Sequence, residues 1–274
     1  MTDLEAMETT DLAAWYRRWY MPNNAILVIV GDVDTATIKR QVEQYFGPLK
    51  AGDLRPPKIQ QEIPQTGERR ITVKVPAKLP HLMMGYHVPQ LTQGDKSWES
   101  YALDVLAAVL DGGSSARLAR ELQRGQAIAA SASAGYRGVM RDAGLFTLDG
   151  TPTQGHTIAE LETALLAQVQ RLVDEPVSQA ELKRVQTQVV ADTVYTRDSV
   201  FYQAMQLGML ETVGLDWRML DEYVERINQV TPKQIQQVAA KYLQPDQLTV
   251  AILDPQPMDS GAKPRRAPPP GMRH

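Results

Sequence analysis

Few side chains in this 274-residue sequence could do chemistry, and their spacing restricts what they could do. It has four histidines, His81, His87, His156 and His274, and no cysteine. A protein zinc site needs three or four histidine, cysteine or carboxylate ligands converging on one ion at about 2.0–2.3 Å. His81 and His87 fall on one face of an expected strand, but at ~3.3 Å per residue they stand ~20 Å apart, too far to share a metal. His156 follows Gly155 at an expected helix entrance, and His274 ends the chain's tail. No metal site is built from these four, and structural or surface roles are expected of them.

Gly112-Gly113-Ser114-Ser115 is the next candidate. A serine after paired glycines invites a nucleophile, and glycines ahead of a helix can cradle an anion on unsatisfied N–H groups. The sequence has no phosphate-loop lysine and no dinucleotide fingerprint. The stretch therefore reads as one helix stopping and another starting, with a serine oxygen capping the second. Acidic residues are widespread, but groups such as Asp221, Glu222 and Glu225 match a solvated helix face rather than a paired acid and base.

Composition removes whole classes of function. A net charge of −3 gives no basic field for generic nucleic-acid binding. An apolar fraction of 43% with 22% charged residues suits a folded globular chain. The apolar run Ala25 to Val30 is far shorter than the ~20 residues of a membrane helix. The acidic start, MTDLEAMETTDLAAW, is not a signal peptide, so a periplasmic location would need an address upstream of Met1. Without cysteine, no disulfide framework forms.

The elements that must position any site follow from hydrophobic period and punctuation. A helix begins near Thr9 or Thr10 and places Leu12, Trp15, Tyr16 and Trp19 on one face until Pro22 ends it. Ala25 to Val30 reads as a buried strand, and Asp34 can cap a helix over Thr35 to Phe46. The stretch from Gly47 to Gly67, with four prolines, is a connector. Strands follow at Arg70 to Val75 and His81 to Val88, then a helix from Lys96 to Leu110 and a short one from Ser114 to Gln123. An antiparallel pair covers Ala127 to Tyr136 and Ala143 to Gly150. The pattern is then helical from His156 to Tyr242, with breaks near Pro176, Thr196 to Asp198, Gly214 and Thr231-Pro232. A strand, Leu248 to Leu253, precedes a proline-rich tail expected to be disordered or extended. Strands followed by a run of helices give an α+β fold, a mixed or antiparallel sheet with helices on one face.

One unit occurs twice. Laid without a gap, TTDLAAWYRRWYMPNNAILVIVGD, from Thr9 to Asp32, meets TPKQIQQVAAKYLQPDQLTVAILD, from Thr231 to Asp254. Thr9, Tyr20, Val28 and Asp32 coincide with Thr231, Tyr242, Val250 and Asp254. The shared layout is a helix, a tyrosine near its end, a proline, a short apolar strand and an aspartate. If the second copy closes a domain, the first closes an equivalent one whose body lies upstream. The expected organisation is the end of a first half-domain over 1–50, a linker over 51–69, a second half-domain over 70–254 and the tail over 255–274.

Three stretches then resemble one family. WYRRWYMPNNAILVIVGDVD, residues 15–34, is similar to the segment ending the first half of insulinase/pitrilysin-type zinc peptidases. LDGGSSARLARELQRGQAIAASASAGY, residues 110–136, resembles their Gly-Gly-x-Ser-Ser-Arg-Leu block in the second half. ELKRVQTQVVADTVYTRDSVFYQAMQLGMLETVG, residues 181–214, resembles their late helical pair. The resemblance covers nearly all of Thr9 to Asp254. It implies two similar halves that close like a clamshell around a peptide. The first carries His-x-x-Glu-His and zinc; the second lacks metal and supplies substrate-facing surface.

That motif is absent from this sequence, so the resemblance implies no metal or catalytic residue in the chain and zinc in a missing first half or a partner. Many second halves carry an arginine, with a tyrosine seven residues later, near the scissile bond. Aligning Glu121-Leu122 with the family's Glu-Leu puts Gln123 and Ala130 at those positions. Arg124 is adjacent, but one helical step turns a side chain by about 100°. Arg117 matches the block's arginine, with packing or a surface ion pair as open alternatives to substrate contact. The expected function is the substrate-binding second half of a zinc peptidase acting on peptides or unfolded protein, inactive without a zinc-motif half on the same or another chain. A silent partner or scaffold subunit of the same fold is the alternative, and a peptide-binding module using an exposed sheet edge is a third.

Overall fold

The computed structural model describes residues 2–55, 58, 63–92 and 98–258. It divides into two compact units, one of Gln65–Val189 with Glu225–His274, the other of Met1–Pro64 with Val190–Val224. Among the described residues the helices are α1 (Thr2–Glu5), α2 (Thr9–Trp19), α3 (Thr35–Phe46), α4 (Trp98–Asp111), α5 (Ile158–Asp174), α6 (Gln179–Thr196), α7 (Val200–Val213), α8 (Met219–Gln229) and α9 (Pro232–Tyr242). A π-helical segment runs over Leu118–Gly125, and short 3-10 turns over Pro22–Asn24 and Pro245–Gln247. The strands are β1 (Arg69–Pro76), β2 (His81–Val88), β3 (Ala129–Tyr136), β4 (Gly144–Pro152) and β5 (Leu248–Gln256).

The larger unit is the mixed sheet of an α+β fold, ordered β1-β5-β2-β4-β3. Its last strand is inserted between its first two, parallel to β1 and antiparallel to β2. The other pairs are antiparallel. Period-2 alternation sets the two faces. Leu82, Met84, Tyr86 and Val88 of β2, Phe146 and Leu148 of β4, and Leu248 and Val250 of β5 are buried. They lie beneath α4, α5 and α9, which pack on one another and contribute Leu106, Leu165 and Val238 to the core. Burial pushes the Tyr86 hydroxyl up to about 12.

The opposite face carries no helix of this unit and stays apolar and exposed at Ile71, Val73, Met83 and Leu145. Their registers place these residues side by side, Ile71 beside Ala251, Met83 beside both Ala251 and Asp149, and Leu145 beside His87. Gln186 is buried inside the same unit, where its amide donates to the carbonyls of Ile227, Asn228 and Val230 at 2.9, 3.2 and 3.1 Å. It thereby satisfies the orphan acceptors at the end of α8.

In the smaller unit, Asp34 accepts from Thr37 N at 2.8 Å, as its position before α3 requires. Asn23 and Gly52 exchange two hydrogen bonds, at 2.9 and 3.2 Å. The expected strand over Ala25 to Val30 is a correction. The segment leaves the Pro22 turn in extended geometry, with Ala25 at φ −119° and ψ 140°, but forms no ladder among the described residues. Ile26, Leu27 and Ile29 are exposed. An apolar run signals a preference for burial, and pairing additionally requires neighbouring strands, of which the described residues of this unit contain none.

Other boundaries moved slightly. The helix expected from Lys96 begins at Trp98, its earlier residues lying outside those described. The first major helix stops at Trp19, before Pro22. The tail beyond Met258, including His274, also lies outside the described residues, while β5 continues to Gln256.

Gly150 of β4 marks a close approach. A Cβ there would stand 2.6 Å from the Ser131 carbonyl oxygen and 3.2 Å from Leu161 Cδ2. Gly150→Ala should therefore destabilise the protein by ~1–3 kcal/mol through overpacking, read as a lower urea midpoint with unchanged slope. An unchanged midpoint would mean that the β3–β4 contact yields freely.

Candidate functional site

The strongest family block folds into a compact corner of the larger unit. α4 ends at Asp111, whose carboxylate accepts from Ala134 N on β3 at 3.2 Å. Burial pushes this carboxyl up, and Asp149 nearby adds to the rise while the backbone bond opposes it. Gly113, at φ +104°, lets the chain reverse at a geometry costly for other residues. The expected serine cap is not formed. The next helical segment starts at Leu118 with Arg117 at its N-cap and no side-chain cap, because Ser114 and Ser115 lie in the turn before it.

Arg117 is buried, with Nε and an Nη donating to the two carboxylate oxygens of Glu181 on α6 at 2.9 and 2.7 Å. This bidentate bond holds the guanidinium above and the Glu181 carboxyl below their ordinary ranges. An ion pair is among the roles left open for Arg117, but it was expected at the surface and the arginine is buried.

The π-helical segment buries Leu118, Ala119 and Leu122. Its wider turn is closed by Gln126 N donating to Glu121 O at 2.7 Å. Glu121 gathers Arg120 at 2.7 Å, Gln168 at 2.9 Å and Arg171 at 2.6 Å. Burial raises its pKa, but these donors outweigh burial and leave it lowered. Arg124 is exposed and donates to the Ser114 carbonyl.

Gln123 is half-buried and donates to Ala132 O on β3 at 3.2 Å. Ala130 sits on the same strand at a β-bulge, where Ala129 and Ser131 face Pro152 and Thr151 with one residue between them on β3 alone. It is exposed. The structure thus brings Gln123 and the Ala130 strand together, with Arg124 beside them and Arg117 committed elsewhere. Gln123 and Asp111 occupy Ala132 O and Ala134 N, two groups on one edge of β3. An added strand would need those groups, so this edge is partly closed.

The reading of the sequence missed this edge cap, the bulge and the π turn. Glutamine and aspartate bonding to edge-strand backbone have no spacing signature, and a single π turn has no residue signature of its own.

The histidines do not fit a zinc. His81 Nδ1 lies 3.1 Å from Thr151 Oγ1, and its Nε2 lies 3.7 Å from Asp149 Oδ2, while Ser133 donates to Asp149 at 2.7 Å. His87 is exposed, and His156 Nδ1 lies 3.6 Å from Glu160. Among the described residues no three histidine, aspartate or glutamate side chains cluster to hold a metal ion. No helix among them is long and apolar enough to cross a membrane.

This mixed sheet with helices on one face defines the class, an α+β domain shared with solved protease structures. The family model described as peptidase M16 inactive domain matches residues 6–189, and the chain belongs to that family. It is 25% identical over 249 residues to an uncharacterised zinc protease of Streptomyces coelicolor, a match spanning 88% of this chain and 52% of that protein. It is also 25% identical over 260 residues to the zinc protease PqqE of Helicobacter pylori, spanning 93% of this chain and 57% of that one. The solved structure of a protease from Helicobacter pylori superposes with a TM-score of 0.86 at 24% identity, over 93% of this chain and 61% of that chain. The chain spans about half the length of the curated relatives it matches.

The Arg117–Glu181 pair predicts a pH-dependent stability term. Arg117→Ala leaves a half-buried carboxylate without its partner and should cost ~1–3 kcal/mol at pH 7. The lowered Glu181 pKa makes its contribution present above the unfolded value of ~4.3 and lost as pH falls through the folded value. The difference between wild type and Arg117→Ala in urea midpoint should therefore shrink from pH 7 towards pH 3. A constant difference would assign the effect to packing of the arginine stem.

Proposed function

We propose that this chain is the non-catalytic, substrate-facing half of a zinc-dependent peptidase, acting on peptides or unfolded protein only together with a half that bears His-x-x-Glu-His. The carrying observation is the bare apolar face of the five-stranded sheet, edged by His81, Asp149 and Ser133, in a chain of the inactive-domain family. A sheet with helices on one face and exposed Ile71, Val73, Met83 and Leu145 on the other is built to line a chamber rather than to face water. Residues 1–50 close the first half, 51–69 link the halves, and 70–254 form the second. Gln123, Ala130 and Arg124 then lie on the substrate side of the second half, and zinc belongs to the first.

A second reading, a catalytically silent subunit or scaffold of the same fold, draws on Gln123 and Ala130. The Gln123 amide is engaged by Ala132, and Ala130 offers only a methyl, so neither supplies the cation and phenol expected of a substrate-binding pair.

Incubation with zinc and an unfolded peptide separates the readings. The chain alone gives no cleavage; with a half carrying the zinc motif from the same organism, chelator-sensitive turnover appears. Stoichiometric, chelator-sensitive cleavage by the chain alone overturns the proposal, and a stable complex without turnover transfers it to the scaffold reading.

A further inference from the structure

The backbone edge of β3 carries a plug made of two side chains. β3 is the last strand of the sheet and is bonded to β4 on one side only. Its other side is met by Gln123 Nε2, which donates to Ala132 O, and by Asp111 Oδ2, which accepts from Ala134 N, both at 3.2 Å. These two backbone groups flank Ser133. A strand laid along the edge opposite Ser133 needs both of them, whether it runs parallel or antiparallel. A side-chain amide that donates and a carboxylate that accepts thus fill the places of a peptide N–H and a peptide C=O. The two come from different elements, the π-helical segment and the end of α4, so no single local turn produces the match.

The plug is weakly held, and both of its bonds lie at the long end of the hydrogen-bond range. Burial and the neighbouring Asp149 push the half-buried Asp111 carboxyl up, so its charged form is incompletely compensated there. The strand beneath selects the occupant. From Ala129 to Gly135 every side chain is alanine, serine or glycine. Small side chains let a neighbouring strand come close and make no demand on its sequence. They also supply little cross-strand contact, so two copies of β3 would gain little from pairing with each other. The edge is short as well, because the chain after β2 covers its far end. There Leu91 N donates to Gly138 O at 2.8 Å, and the Tyr136 hydroxyl donates to Pro89 O at 2.7 Å. A short extended segment that brings its own bulky side chains fits this edge better than a second copy does.

We propose that Gln123 and Asp111 form an autoinhibitory plug over a peptide-binding edge, and that a short extended stretch of polypeptide takes the two backbone groups when the plug is displaced. The occupant is held through its main chain, and β-branched or aromatic side chains at alternate positions strengthen the pairing. Gln123 is then a gate to the edge. The edge belongs wholly to this chain, so no zinc-bearing half enters the test.

Fluorescence anisotropy of the full chain tests it, with a fluorescein-labelled peptide of alternating threonine and valine carrying a lysine at each end. The double variant Asp111→Ala/Gln123→Ala binds this peptide on the order of tenfold more tightly than wild type, because two hydrogen bonds no longer have to be broken first. Asp111→Asn, which keeps an acceptor for Ala134 N, stays close to wild type. The same peptide N-methylated throughout its repeat, unable to donate to the edge, loses the gain. A double variant that is folded by circular dichroism and urea midpoint, yet binds no better than wild type, overturns the proposal. So does a gain that survives N-methylation, which puts the peptide elsewhere, or a variant that dimerises without taking peptide, which makes a second copy the occupant. If the double variant does not fold, Gln123→Ala alone decides, with roughly threefold tighter binding in support and unchanged binding against.

Discussion

The larger unit depends on the placement of its last strand. β5 is interior, hydrogen-bonded to β1 on one side and β2 on the other, so the sheet is incomplete until the end of the domain arrives. Pairing of such sequence-distant strands carries a large loop-closure cost before the contacts offset it. Once in place, β5 buries Leu248 and Val250 beside β2, against which α9 packs. In the smaller unit, α2, the Pro22 turn and Ala25–Val30 follow one another in the same order as α9, the Pro245 turn and β5, but Leu12, Trp15, Leu27 and Ile29 are exposed.

The putting of charge into this fold follows a structural logic. Arg117 and Glu181 tie the start of the π-helical segment to α6, and Glu121 ties the segment to α5 through Gln168 and Arg171. Gln123 and Asp111 then fasten the adjoining loop and helix end to β3. Each is a side chain whose polar atoms are used internally, which is the opposite of a catalytic group held ready for substrate.

Much of this fold was legible in the sequence because buried faces impose a period. The alternation of Leu82, Met84, Tyr86 and Val88 fixed β2, and the cap at Asp34 with Gly47 beyond Phe46 fixed α3. The insertion of β5 was not legible, since alternation says which face is buried and nothing about which strand lies alongside. Ala25 to Val30 failed for the same reason. The placing of Gln123 and Ala130 near one another was legible only through the family block, and the internal bond that occupies Gln123 depends on a bulge and a π turn that leave no mark in composition. The repeat was visible as layout, but chance identities pulled its register one residue away from the one that capping and the proline turns define, with Glu8 and Thr231 preceding the helices and Pro22 and Pro245 opening the turns.

That one-residue difference carries physical weight because it decides where five apolar side chains must go. With Thr9 against Thr231, Ile26 and Val28 would face the core, yet Val28 already lies toward Gly208 of α7. With Glu8 against Thr231, Leu27 and Ile29 would face it instead, and both are exposed, as are Ile26 beside them and Leu12, Trp15 and Tyr16 on α2. An exposed apolar stretch of this kind on adjoining helix and extended chain is a surface that favours burial over contact with water.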